Sequence, residues 1–225
     1  MRRNDPKINT RNLQRSFWNL DRLSKNNNDN LEIEKRFWDY GYNHIAGVDE
    51  VGRGCLAGPV VAAAVIIPKN IRIKGITDSK LLSPQKRQEL SIVIKETALS
   101  YAIVEISPQE IDKLNILQAS LKAMHIAINK LSIKPDVVFI DGNQLIKELD
   151  IPQFAITKGD LMSQSIGAAS IIAKVYRDNL MKEFHNLYPY YNFYKNKGYA
   201  TREHKEAIKR YGVCPLHRLS FNIET

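Results

Sequence analysis

Residues 45–67 read IAGVDEVGRGCLAGPVVAAAVII. Two apolar segments, 45–48 and 60–67, are short and rich in β-branched residues, so they predict buried strands. A glycine-rich corner joins them. Asp49 and Glu50 follow the first strand. Neighbours on a strand point to opposite faces, so the two acids converge on one ion only if the strand ends there or one contributes a backbone group. Gly52, Gly54 and Gly58 supply the irregular backbone this needs. An Asp-Glu pair alone is more often a solvated acidic turn.

Beyond this stretch the pattern stays α/β. Residues 101–106 alternate and predict a third strand, 136–140 (DVVFI) a fourth and 154–157 a short fifth. Ser83-Pro84 and Ser107-Pro108-Gln109-Glu110 are helix starts with proline at the first helical position, the second a capping box. Leu117, Leu121, Met124, Ile128 and Leu131 form an apolar stripe. Residues 163–184 predict a long helix with Ile166, Ala169, Ala173, Tyr176 and Leu180 on one side, slim enough in its first half to lie close to a sheet. Residues 202–211 predict a last, basic helix. Strands in succession, then strands separated by helices, imply a mixed sheet covered by helices.

Residues 1–30 differ. Asn26-Asn27-Asn28-Asp29-Asn30 is too polar to bury a core and reads as a linker within a polar, flexible N-terminal extension. Trp18 suggests a docking segment or, better, a helical turn folded back on the body.

The 225 residues suit one domain. Thirty-three Lys and Arg against 24 Asp and Glu give +9, a balance that draws polyanions but identifies none. Two cysteines, Cys55 and Cys214, exclude a disulfide scaffold and a cysteine-histidine metal site, so a reduced, cytoplasmic setting is expected. The longest apolar run is too short to span a bilayer.

Two further acids stand out. Asp141 closes the strand at 136–140, at the carboxyl edge where α/β ligands gather. Asp160, in Lys158-Gly159-Asp160, precedes the long helix, where an acid is also favoured by the helix dipole alone. Several carboxylates together repel, and a pair of divalent cations relieves them. Magnesium takes oxygen ligands, water and phosphate, and two such ions support in-line phosphodiester displacement.

Taken together, residues 45–59, TDSKLLSPQKRQEL (77–90), DVVFIDGN (136–143), TKGD (157–160), SIGAASIIAKVYRD (165–178), GYATREH (198–204) and HRLSF (217–221) resemble the ribonuclease HII family. The resemblance implies a ribonuclease H-like fold: a five-stranded mixed sheet flanked by helices, with a small C-terminal helical part inside a catalytic domain of residues 31–225. It implies Asp49, Glu50, Asp141 and Asp160 as catalytic acids and ligands of Mn2+ or Mg2+. Gly52, Arg53 and Gly54 would meet the ribose 2′-hydroxyl and flanking phosphates. Tyr199 would stack on the following deoxynucleotide, and Lys80 would contact phosphate. Lys174 and Arg177 are phosphate contacts or braces of the site, with neither reading preferred. His204 and His217 read as structural.

The implied reaction is hydrolysis on the 5′ side of ribonucleotides in RNA–DNA hybrids and at RNA–DNA junctions in duplex DNA, leaving 3′-hydroxyl and 5′-phosphate ends. That would serve ribonucleotide removal during DNA repair and replication, by a monomer. The nearest alternative is ribonuclease HIII, which acts mainly on longer hybrids. A non-catalytic hybrid binder and a charge-driven RNA chaperone are the competitors from other classes.

Overall fold

The computed structural model describes residues 30–76, 79 and 82–222. The expected N-terminal extension, Trp18 included, lies outside the described residues apart from Asn30.

Five strands form one sheet: β1 (Ile45–Val51), β2 (Val60–Ile66), β3 (Ser100–Ile106), β4 (Val137–Asp141) and β5 (Gln153–Ile156), in the order β3-β2-β1-β4-β5. The first three are antiparallel neighbours, and β4 and β5 add in parallel, giving the mixed sheet expected. The helices are α1 (Glu32–Asp39), α2 (Pro84–Thr97), α3 (Pro108–Leu114), α4 (Ile116–Asn129), α5 (Gly159–Met162), α6 (Gln164–Leu187), α7 (Phe193–Asn196) and α8 (Arg202–Tyr211), with a short 3-10 turn at Pro189–Tyr191.

β2 is buried along its whole length. Val60, Ala62, Ala64 and Ile66 face a core shared with α4, and Val61, Ala63 and Val65 face one shared with α6 and α2. A strand covered on both faces needs apolar residues at both parities, which is why it reads as a continuous run. Small residues also set how near the helices come. A Cβ on Gly47 of β1 would stand 2.1 Å from the Ser165 carbonyl carbon and 2.3 Å from the Ile166 nitrogen, so the start of α6 rests directly on the strand backbone.

Three local readings differ from the sequence. β1 does not stop before the acids; it runs to Val51, with Asp49 opposite Ala63 and Glu50 opposite Ala62. Antiparallel pairing with β2 carries the strand through two charged residues. On α4 the buried face is Ala119, Ala123, Met124, Ala127 and Ile128, while Leu117 and Leu121 are only half-buried. On α6, Tyr176 is exposed and Arg177 and Met181 are buried instead. On α4 the close approach to the sheet selects small residues, which a stripe drawn from bulky ones misses; on α6 the second half turns Arg177 toward loop carbonyls and Met181 into the C-terminal core.

The predicted N-cap bonds form, while Glu110 turns its carboxylate to Lys122 and leaves the capping box half made. Ser83 Oγ accepts the Lys86 N–H at 3.2 Å and Ser107 Oγ the Glu110 N–H at 3.3 Å. The Glu110 carboxylate pairs with Lys122 Nζ at 2.5 Å. Along α1, Phe37 packs edge-on against Phe139 and Phe154, with centroids 4.7 and 5.0 Å away. Glu34, on the same helix, is buried at the start of α6. Its Oε1 accepts the Ser163 hydroxyl at 2.6 Å and the Ser165 N–H and hydroxyl at 3.0 Å each. Burial pushes its carboxyl above the usual range against these bonds. α7, α8 and the end of α6 enclose a separate small core with Leu56, Met181, Tyr191, Phe193 and Ile208.

Candidate active site

Asp49 and Asp141 are neighbours across two parallel strands. Val48 of β1 pairs with Ile140 of β4, and the acids are the next residue on each strand. Asp141 ends β4, and Asp49 lies beside it where β1 runs on paired with β2 alone, both on the face that α6 covers. Glu50, one residue on, points to the opposite face, yet it too acts electrostatically on Asp49, as Asp141 does on both.

Asp49 is buried, and burial pushes its carboxyl well above the usual range; the charges of Glu50 and Asp141 push it further. The Ser170 hydroxyl and the Glu50 N–H (2.7 Å) bond to it in opposition. Ser170, one turn into the covered part of α6, shares a 3.0 Å bond with Ser79. Burial also raises the Glu50 carboxyl, against the pull of Arg53, whose Nη1 lies 3.1 Å from Glu50 Oε1.

Asp160 reaches the same edge through its neighbour. Gly159 donates its N–H to Asp141 Oδ1 at 2.8 Å, and Asp160 follows in the first turn of α5. The Asp160 carbonyl lies so near α6 that a Cβ on Gly167 would meet it at 2.9 Å. Asp49, Glu50 and Asp141 thus interact at one edge of the sheet, and Asp160 follows the glycine that bonds Asp141. Among the described residues no three His, Cys, Asp or Glu side chains form a closed metal-holding group. Like charges spread, and Glu50 is turned toward Arg53. The donor set nonetheless suits a hard divalent cation: it is all oxygen, partly desolvated, and short of positive charge at Asp49.

Beside the acids lies the loop 52–59, held from beneath by two arginines with no exposed surface. Arg218 donates Nε to the Gly58 carbonyl (2.9 Å), Nη1 to Arg53 (2.9 Å) and Nη2 to Gly52 (2.7 Å). Arg177 donates to the carbonyls of Pro59 (3.0 Å), Ala57 (3.1 Å) and Lys197 (2.9 Å). Burial, together with the charge of Arg177, depresses Arg218 to about 10. In a trans peptide the C=O and the following N–H point in opposite directions. Carbonyls of Gly52 and Arg53 drawn down onto Arg218 therefore aim the N–H groups of Arg53 and Gly54 outward. Gly54 has open space where a Cβ would be, whereas a Cβ on Gly52, at φ +92°, would strike Arg177 Nε at 2.3 Å.

Tyr199 is half exposed beside this loop, bridged to Cys55 through the backbone. Beneath it sit His204 and His217, both buried, with Nε2 atoms 3.1 Å apart. The neutral proton arrangement follows from the outer partners. A carbonyl only accepts, so His204 Nδ1 donates to Tyr199 O at 2.8 Å. Its Nε2 then accepts from His217 Nε2, and His217 Nδ1 accepts the Cys214 N–H at 2.9 Å. The pair is structural, as the sequence suggested, and it fixes the backbone that carries Tyr199.

Of the remaining sequence candidates, Arg177 is a brace. Lys174 pairs with Asp178 at 2.6 Å. Lys80 lies outside the described residues. Arg218 and Ser170 carried no assigned role from sequence. A buried arginine flanked by His217 and Leu219 gives no local signal, because its acceptors are carbonyls 160 to 166 residues away.

Comparison with known proteins completes the description. The family model described as Ribonuclease HII matches residues 46–224. A Ribonuclease HII of Caldanaerobacter subterraneus subsp. tengcongensis is 54% identical over 188 residues, covering 84% of this chain and 78% of that protein. One from Desulfitobacterium hafniense is 53% identical over 191 residues, covering 85% and 73%. Among solved structures, the ribonuclease H2 of Pyrococcus horikoshii OT3 superposes with a TM-score of 0.71 at 30% identity, covering 80% of this chain and 94% of that one. The fold defines a hydrolase of the ribonuclease H-like class. Within that class, the chain belongs to the ribonuclease HII family and is a type II ribonuclease H, an endonuclease.

Proposed function

We propose that this enzyme hydrolyses the phosphodiester on the 5′ side of ribonucleotides, both in RNA–DNA hybrids and at RNA–DNA junctions in duplex DNA. The products would be 3′-hydroxyl and 5′-phosphate ends, and the role removal of ribonucleotides from DNA. The observation that carries the reading is the adjacency of Asp49 and Asp141 on neighbouring strands, with Glu50 coupled to both and Asp160 next to the glycine that bonds Asp141. Asp49, Glu50, Asp141 and Asp160 would hold Mg2+ or Mn2+. When bound, such ions lower the pKa of water and neutralise charge on the leaving oxygen.

The chain's own residues supply the selection. The outward N–H groups of Arg53 and Gly54 suit a phosphate or a sugar hydroxyl, and Gly54 leaves room for close backbone approach. The Arg53 guanidinium, half exposed, leaves Glu50 for a phosphate as the acid takes up its ligand. Tyr199 offers an aromatic face to the following deoxyribose, and Lys80 a further phosphate contact. In this reading residues 31–225 are one catalytic unit, monomeric and cytoplasmic, to which the C-terminal helical part contributes Tyr199. No helix among the described residues is long and apolar enough to cross a membrane.

The test is a DNA duplex with one embedded ribonucleotide, with and without divalent metal, its products mapped. The expectation is one cut 5′ to the ribonucleotide, only with metal, and near-complete loss in Asp141→Asn. Cleavage of long hybrids but not of this duplex would favour a ribonuclease HIII-like specificity. Equal rates for wild type and Asp141→Asn would end the enzyme mechanism drawn here.

A further inference from the structure

An open cleft of about 440 Å³ lies between the start of α2, the middle of α6 and the turn of α7. Five cations line it: Arg87, Lys174, Lys182, Lys195 and Lys197, against one acid, Asp178. Asp178 is already shared, lying 2.6 Å from Lys174 Nζ and 3.8 Å from Arg87 Nη2. Four positive charges remain over it, five less one. Lys197 is depressed by burial and by the nearby charges of Lys182, Lys174 and Arg177, with Asp178 opposing. Cations held this close repel one another, and an anion entering the cleft relieves them.

One side of α6 leads from the cleft toward the carboxylate edge. Ser170, bonded to Asp49, and Lys174, Asp178 and Lys182 follow one another at four-residue intervals along one side of α6. From Ser170 to Lys182 the helix rises about 18 Å, at ~1.5 Å per residue. That matches about five nucleotides of a strand at ~3.4 Å each. On its other side the cleft ends at Lys197, two residues before Tyr199. The exposed Tyr194 ring, 4.9 Å below Lys197 Nζ, forms part of the wall.

We infer that this cleft is a second contact region for the substrate, taking backbone phosphates of the DNA that flanks the ribonucleotide. The inference rests on the substrate reading above. It adds that affinity depends on several nucleotides of flanking duplex, read by charge and without regard to sequence.

Lys182 and Lys195 are exposed, so neutralising them leaves the packing intact. The experiment measures binding of the full chain to one-ribonucleotide duplexes without divalent metal, so that nothing is cut, over a range of salt. Flanks of about three and about twelve base pairs are compared. Lys182→Gln/Lys195→Gln is set against Lys130→Gln/Lys147→Gln, which removes the same charge from exposed positions elsewhere. On the long flank, the cleft variant is expected to reduce the slope of log K against log salt by about 1.8, two contacts at ~0.9 each, and the control to leave it near the wild-type value. On the short flank all three proteins should agree. Equal slopes for cleft variant and wild type on the long flank, or equal reductions in cleft variant and control, would overturn the inference. A wild type that binds with this slope but cuts no junction would leave the cleft standing and remove the substrate reading instead.

Discussion

Arg218 Nη2 donates to the Gly52 carbonyl at 2.7 Å, across 166 residues of chain, in a site with no exposed surface. The same guanidinium takes the Arg53 and Gly58 carbonyls. Lysine keeps the charge but cannot present this planar fork. Arg218→Lys is expected to lower thermal stability by about 2 kcal/mol, since each buried carbonyl left without a donor costs ~1–3 kcal/mol. It should also lower kcat/KM on a one-ribonucleotide duplex by ~100-fold, because the loop N–H groups lose their aim. A variant with the stability loss but wild-type kcat/KM would show that Arg218 only supports the fold.

In the proposed mechanism Asp49 would set stability against activity. Its carboxyl is buried among like charges, whereas an asparagine keeps the acceptor for the Glu50 N–H. Asp49→Asn is expected to raise the melting temperature of metal-free protein by a few degrees, on the order of 1 kcal/mol. Cleavage should fall by at least ~1000-fold. A melting temperature below wild type in chelator would contradict the strain described for Asp49.

Gly47→Ala tests the approach of α6 to β1. The added Cβ would overlap backbone atoms, which have no rotamer by which to yield. Destabilisation of at least ~3 kcal/mol is expected, at the upper end for overpacking. Chemical denaturation measures it, and a loss under ~1 kcal/mol would mean that the helix shifts freely.

These contacts divide by range into what the sequence shows and what it hides. β2 was legible because a strand covered on both faces must be apolar at both parities. Asp49, Glu50, Asp141 and Asp160 stood out only as a set matching the ribonuclease HII motifs, since an acid after a strand or at a helix start has an ordinary structural use as well. The extension of β1 through Asp49 and Glu50 was not, since it depends on pairing with β2 rather than on their own propensity. Arg218 was hidden, and the choice between contact and brace for Arg177 left open, for a related reason: their partners are carbonyls, which every residue carries. The alanine face of α4 escaped a stripe drawn from bulky residues, because close packing there prefers small side chains.

The histidine pair gives stability a pH dependence of definite sign. Burial, and then the neighbouring His204, depress His217 to about 4, while an unfolded imidazole titrates near ~6.5. Between those values the unfolded chain binds more protons, so stability is full above ~6.5 and is lost as pH falls toward 4. Asp49 and Glu34, both raised, act in the opposite sense. Melting temperature followed from pH 7 to pH 4 should therefore fall more steeply in wild type than in His217→Gln. Parallel curves would remove His217 as the cause.

The bond from residue 218 back to residue 52 also sets an order of events in the life of the chain. The Gly-Arg-Gly turn is made early in synthesis, and its brace is made some 160 residues later. A growing polypeptide can lay down the sheet strands before Arg218 is there to hold the turn. In the proposed reading, discrimination between RNA and DNA would be among the last properties the enzyme acquires as it matures.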